Sequence, residues 1–203
     1  MAVVDATQRA RLPIWCVVAA GGVITAISLG VRSTFGLFLE PMAEGLGTEI
    51  GAISLAVAVQ NLVWGFSQPI AGALSDRFGA PRTIAAGGAL YAVAMLLMST
   101  ATSSTMVLVS GGFLTGMAIG AASFAVVLSA VGRVAPPERR SLMLGVVSAV
   151  GSLGQFVLIP VARRLLDSGS WESAAAAMGL ILLPIVIVAP ALRSMPEPRA
   201  GAG

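Results

Sequence analysis

One arginine, Arg32, stands inside a long apolar stretch, Ile14–Leu39, where charge is costly. At the centre of a membrane helix an arginine costs about 2.5–3.5 kcal/mol. Such a cost persists where the guanidinium faces water or an anion, and a guanidinium grips a carboxylate through two parallel hydrogen bonds. Thr25, Ser28 and Arg32 recur at intervals of three and four, so they share one helix face. Asn61, Trp64 and Gln68 repeat that spacing, as do Ser148, Ser152 and Gln155. Arg32 is therefore the candidate anchor for an organic anion, with Asn61, Trp64, Gln68 and Gln155 as candidate lining groups. The serines and threonines read better as glue between helices, worth roughly 0.6 kcal/mol per hydrogen bond, and for Asn61, Gln68 and Gln155 that role competes evenly with lining a site. A structural role competes for Arg32: snorkelling outward, or pairing with Glu40. Arg32 precedes Leu39 by seven residues, roughly 10 Å at about 1.5 Å per residue. That is a long reach for snorkelling, and Glu40 lies a little over two turns away.

Other chemistries are excluded by composition. The chain has no histidine, and all twelve of its basic residues are arginine. The commonest metal ligand and the usual proton shuttle are thus missing. Cys16 is the single cysteine, so no disulfide forms within one copy. No carboxylate lies deep in an apolar run; Glu40, Asp76 and Asp167 only border such runs. Proton coupling would have to use Glu40, the substrate itself or a group on another chain. No Ser–His pair, aspartate pair or metal cluster is available inside the apolar runs, so neither an enzyme nor a metal or cofactor site is expected.

These groups are held by an apolar scaffold. Of 203 residues, 57% are hydrophobic and 10% charged, against about 25% charged in ordinary soluble domains. Mean hydropathy is +0.93. Lipid must be the main solvent, and the basic balance, confined to short loops, does not point to nucleic acid. Six stretches reach the length of about 20 residues that a bilayer requires: Ile14–Leu39, Ile50–Leu74, Thr83–Thr100, Met106–Val131, Leu142–Leu165 and Ala174–Leu192. The first is too long for the apolar region of a signal peptide. The expected organisation is a tail over 1–13, a six-helix bundle over 14–192 and a second tail over 193–203. Arginine placement predicts the orientation. With the N-terminus inside, Arg9, Arg11, Arg77, Arg82, Arg133, Arg139, Arg140, Arg193 and Arg199 are cytoplasmic. Only Arg163 and Arg164 then lie outside. Both termini are expected in the cytoplasm of a cell (inner) membrane protein.

The two halves of the bundle resemble each other. Gly21, Gly22, Thr25, Gly30 and Ser33 recur ninety residues on as Gly111, Gly112, Thr115, Gly120 and Ser123. Pro69, Ala71, Leu74 and Asp76 recur ninety-one residues on as Pro160, Ala162, Leu165 and Asp167. The repeats cover about 14–100 and 106–192. Each holds three spans, an odd number, so the second enters the membrane inverted. Inverted repeats are a transporter architecture with the solute site near the midplane.

After the second span the chain reads Gly72-Ala73-Leu74-Ser75-Asp76-Arg77-Phe78-Gly79-Ala80-Pro81-Arg82. This resembles the signature loop of the major facilitator superfamily, G-x-L-[SA]-D-R-x-G followed by basic residues, and it falls between spans two and three as it does there. Pro81-Arg82 stands where two basic residues are usual. The resemblance implies an all-α membrane fold of six helices in two inverted repeats, one half of the family's twelve. It also implies a gate built on Gly72, Asp76, Arg77, Gly79 and Arg82. Gly72 would permit close helix approach. Asp76 would pair with an arginine or face a helix N-terminus. Arg32 to Met42 resembles the bacterial branch related to oxalate:formate exchangers and monocarboxylate carriers. Gly112 stands where many proton-coupled members carry an arginine. The fifth span, Gly151-Ser152-Leu153-Gly154-Gln155, lacks the Gly-Pro of drug:proton antiporters.

The expected function is secondary active or facilitative transport of a small organic anion, monocarboxylate-like, by alternating access. The expected partners are that anion, the lipid bilayer and a second six-helix bundle, either another copy or a separate chain. The alternative is a six-helix scaffold, receptor or half-transporter that moves no solute.

Overall fold

The computed structural model describes residues 13–193, so Arg9, Arg11, Arg199 and most of both tails lie outside the described residues. Among the described residues there are helices and no strands. Six helical spans are long and apolar enough to cross a membrane: Ile14–Gly45, Ile50–Phe78, Ala80–Met98, Ser104–Val134, Pro137–Ser168 and Trp171–Leu192. We number them one to six.

Several spans run past their apolar cores. Span one continues through Pro41 to Gly45, where the Trp171 indole at the start of span six packs against the backbone. Span two continues to Phe78, and only Gly79 separates it from span three. Gly79 has φ +88°, a left-handed conformation that glycine adopts without strain. Pro81 then sits in the first turn of span three, where a missing N–H costs nothing. Span six opens on a capping box, in which the Ser170 hydroxyl accepts from the Ser173 N–H and the Ser173 hydroxyl accepts from the Ser170 N–H.

Packing follows the repeat. Span one packs most extensively on span five, and span two on span four. Those two pairings exchange when one repeat is mapped on the other. Repeat-matched glycines make both contacts. A Cβ at Gly30 would lie 2.7 Å from the Gly154 carbonyl oxygen of span five, and one at Gly22 would lie 3.0 Å from Val150. A Cβ at the matching Gly112 would lie 2.9 Å from the Ala56 carbonyl oxygen of span two, and one at Gly120 would strike Ser67. Small residues allow this approach where no aqueous hydrophobic force drives helices together. Spans three and six close the back of the bundle, with Gly88 against Ile185 and Gly179 against Met95. Spans one and four are central, with 56% and 61% of their most apolar stretch buried, against 22% for spans two and five.

Span four is not a uniform helix. Leu108–Leu114 winds as a π-helix, and the helix breaks at Ala122 (φ −92°, ψ 30°) before restarting over Phe124–Val134. Side chains satisfy the backbone groups released. Gln60 donates to the Gly111 carbonyl at 2.9 Å, and the Thr115 hydroxyl donates to the Ser110 carbonyl at 2.9 Å. The Ser123 hydroxyl accepts from the Val126 N–H at 3.2 Å and caps the restarted helix. Ser28 donates to the Ala122 carbonyl at 3.4 Å.

Candidate functional site

Arg32 projects from span one toward span two. Its Nη2 donates to Asn61 Oδ1 at 2.7 Å, while the Asn61 amide donates to the Val57 carbonyl at 2.8 Å. Asn61 is thereby held with its oxygen toward the guanidinium. The Arg32 Cζ lies 4.3 Å from the centroid of the Trp64 ring, close enough for a cation–π contact. Spacing thus correctly joined Asn61 and Trp64 on one face, and that face meets Arg32.

The charge itself is not neutralised. Glu40 makes no ion pair with Arg32, and no carboxylate does so among the described residues. Arg32 Nε and Trp64 Nε1 are buried without a hydrogen-bond partner there. Tyr91 of span three is likewise fully buried, with its hydroxyl unpaired among the described residues. Arg32 and Trp64, which stack on each other, thus both leave hydrogen-bonding capacity unused. Each such group costs about 1–3 kcal/mol when it stays unsatisfied.

Gln155 is placed next to this cluster rather than in it. Its Oε1 lies 3.0 Å from the Ser33 hydroxyl, whose single proton is shared with the Leu29 carbonyl at 2.8 Å. Gln68 is partly buried one turn beyond Trp64, with no hydrogen bond to any described residue. Thr25, Ser148 and Ser152 bond to carbonyls of their own helices and so glue no helices together, whereas Ser28 reaches across to span four. Gln60 escaped the sequence reading. It sits beside Asn61 but about 100° round the helix, and there it is buried against the π-helical segment of span four.

At the arginine-rich end, Asp76 at the end of span two pairs with Arg133 at the end of span four, 3.5 Å apart. A carboxylate at a helix C-terminus opposes the helix dipole, so a cation from the other repeat is a physically sensible neighbour. Both side chains are well exposed, at 77% and 44%, so the pair is weak and easily broken. Arg77 lies over the Phe78 ring, 5.2 Å from its centroid, and Arg82 is exposed. Gly79 makes the turn. Gly72 departs from expectation: a Cβ there would meet nothing within 4 Å. It faces outward from this bundle, so its small size serves no contact within these six helices.

The profile described as Major Facilitator Superfamily matches residues 21–203. Monocarboxylate transporter 13 of Bos taurus is 30% identical over 181 residues, 89% of this chain and 42% of that protein. Monocarboxylate transporter 7 of Homo sapiens is 26% identical over 179 residues, 88% of this chain and 34% of that protein. An uncharacterized MFS-type transporter, YhjX, of Escherichia coli (strain K12) is 27% identical over 178 residues, 87% of this chain and 44% of that protein. The chain spans about two-fifths of the length of the curated relatives it matches.

Proposed function

This chain belongs to the major facilitator superfamily of membrane transporters, and from that premise we propose that it supplies one six-helix half of a carrier for a small, monocarboxylate-like organic anion. Transport is secondary active or facilitative and proceeds by alternating access. The observation that carries the reading is the Arg32 charge, which lies within a membrane span and is held by neutral Asn61 and Trp64 with no carboxylate paired to it among the described residues. An uncompensated cation in a span is tolerated when it faces water or an anion. The names of the relatives support a carboxylate, the group a guanidinium recognises best.

Arg32 anchors the carboxylate in this mechanism. Asn61 fixes the guanidinium plane, and Trp64 covers its face. Gln155 and Gln68 present amides to the rest of the solute. A second six-helix bundle, another copy or a separate partner, closes the cavity over this polar side. The Asp76–Arg133 pair links the ends of the two repeats, and its breakage accompanies exchange between inward- and outward-facing states. The arginine-rich end faces the cytoplasm of the cell membrane, as the charge bias requires.

Uptake of labelled monocarboxylate into liposomes by the purified protein tests the function. Absence of uptake, alone and with any co-purifying partner, favours the non-transporting scaffold. Orientation has its own test in sealed cells, with Cys16→Ser as background. A cysteine at exposed Ser168 reacts with an impermeant thiol reagent from outside, and one at exposed Ser141 does not. The reverse pattern overturns the topology.

A further inference from the structure

Away from the Arg32 cluster, spans two, three and four enclose a groove of about 780 Å³. One wall is a stripe on span two at intervals of four: Leu62, Phe66, Ile70, Leu74 and Phe78. All five are exposed, Phe66 at 73%. Ala86 and Leu90 of span three form the opposite wall, with Met117 of span four between them. Phe66 and Ile70 lie roughly 140–180° round span two from Asn61. The groove therefore opens away from the polar side assigned to a second bundle, toward lipid.

Its ends differ. From Leu62 to Phe78 the stripe runs about 24 Å at about 1.5 Å per residue, longer than one leaflet's half of the roughly 30 Å hydrocarbon core. The groove ends at Arg82, which lines it. Arg77, stacked on Phe78, stands beside the same mouth. Neither arginine pairs with a carboxylate among the described residues, because Asp76 is taken by Arg133. An apolar slot of acyl-chain length thus closes on two free cations at the level of the membrane surface.

We propose that this groove is a binding site for an anionic phospholipid of the adjoining leaflet, one acyl chain lying along the Leu62–Phe78 stripe and the headgroup phosphate on Arg82, with Arg77 beside it. Juxtamembrane arginines attract acidic headgroups, and a guanidinium binds phosphate through paired hydrogen bonds. The apolar walls supply affinity for any chain, and Arg82 supplies the preference for charge. The site does not depend on what the protein transports.

The test uses the full chain in phosphatidylcholine vesicles doped with spin-labelled phosphatidylglycerol or spin-labelled phosphatidylcholine. The expected result is a several-fold excess of motionally restricted phosphatidylglycerol, falling as salt rises. Arg82→Gln removes most of that excess and Arg82→Lys keeps part of it. Arg163→Gln, at the other end of the bundle, leaves it intact. Ala86→Trp, which fills the groove from an exposed position, lowers restriction of both lipids. Equal restriction of the two lipids by the unaltered chain overturns the proposal, as does an excess that survives Arg82→Gln. So does disulfide formation between copies carrying Phe66→Cys on the Cys16→Ser background, which would make the occupant a second copy of the chain.

Discussion

The two repeats share a packing surface and differ in what they place on it. In the first, position 32 is an arginine in a continuous helix; its counterpart ninety residues on is Ala122, where span four breaks. Ser33 and Ser123 are matched in type and opposite in use. Ser33 spends its hydroxyl on Leu29 and Gln155, whereas Ser123 caps a new helix. Asn61, which holds Arg32, corresponds at the offset of ninety-one to Ser152, which bonds only to its own helix. Yet the glycines that seat span one on span five and span four on span two match. Helix contact is the conserved half of the duplication's physics. The intramembrane charge and its Asn61 and Trp64 contacts belong to the first repeat, and the backbone irregularity to the second.

The largest break in that comparison is Arg32→Gln. It should insert and fold, but lose monocarboxylate uptake by about 10- to 100-fold, the worth of a charge-assisted hydrogen bond of about 1.5–3 kcal/mol. Arg32→Lys should retain part of the rate, because charge survives without the fork. Normal uptake by Arg32→Gln in liposomes would end the anion-site reading and move the functional weight away from the first repeat.

Next come the shared glycines. Gly30→Ala drives a Cβ to 2.7 Å from the Gly154 carbonyl oxygen, backbone that has no rotamer to move, and should cost about 1–3 kcal/mol of stability. Gly120→Ala meets chiefly the Ser67 side chain, which can turn aside, and should cost less. Unfolding titrations of both variants in detergent read the difference. Equal losses would mean that the two seams are equally stiff.

The matched serines sharpen the contrast further. Ser123→Ala removes a helix cap and should destabilise by about 1 kcal/mol. Ser33→Ala removes an interhelical bond worth roughly 0.6 kcal/mol. The same titration compares them, and a larger loss at Ser33 would assign the structural burden to the first repeat.

Smallest is the link across the repeats. Asp76→Asn and Arg133→Gln should each shift stability by well under about 1 kcal/mol, since an exposed pair contributes little. Their effects on uptake should be non-additive in a double-mutant cycle. Strict additivity would make Asp76 an ordinary loop residue.

Hydropathy and glycine spacing made much of this legible. All six spans were found; most ends moved outward by a few residues where turns such as Glu40–Gly45 continue the helix beyond the apolar core, while the third span stops at Met98, short of Thr100. The Arg32–Asn61–Trp64 cluster was legible because a lone intramembrane charge and an i, i+3 spacing are local signals. Gln60, Tyr91 and the break at Ala122 were not. Gln60 acts through a contact with span four, the burial of Tyr91 depends on how the helices pack, and the break occurs in Gly120-Ala121-Ala122-Ser123, a sequence with no proline to announce it. Gly72 is a different case: the contact its motif implies is not made within these six helices.

The π-helical segment of span four bears on motion. A helix with one residue too many for its pitch carries something like a dislocation in a crystal, a defect that migrates without tearing the lattice. Each residue over which it passes is turned by about 100°. In Leu108–Leu114 the defect is pinned by two weak fasteners, the Gln60 amide on Gly111 and the Thr115 hydroxyl on Ser110. Releasing them would let it creep, swapping the side chains that span four shows to span two while the span keeps its place and length.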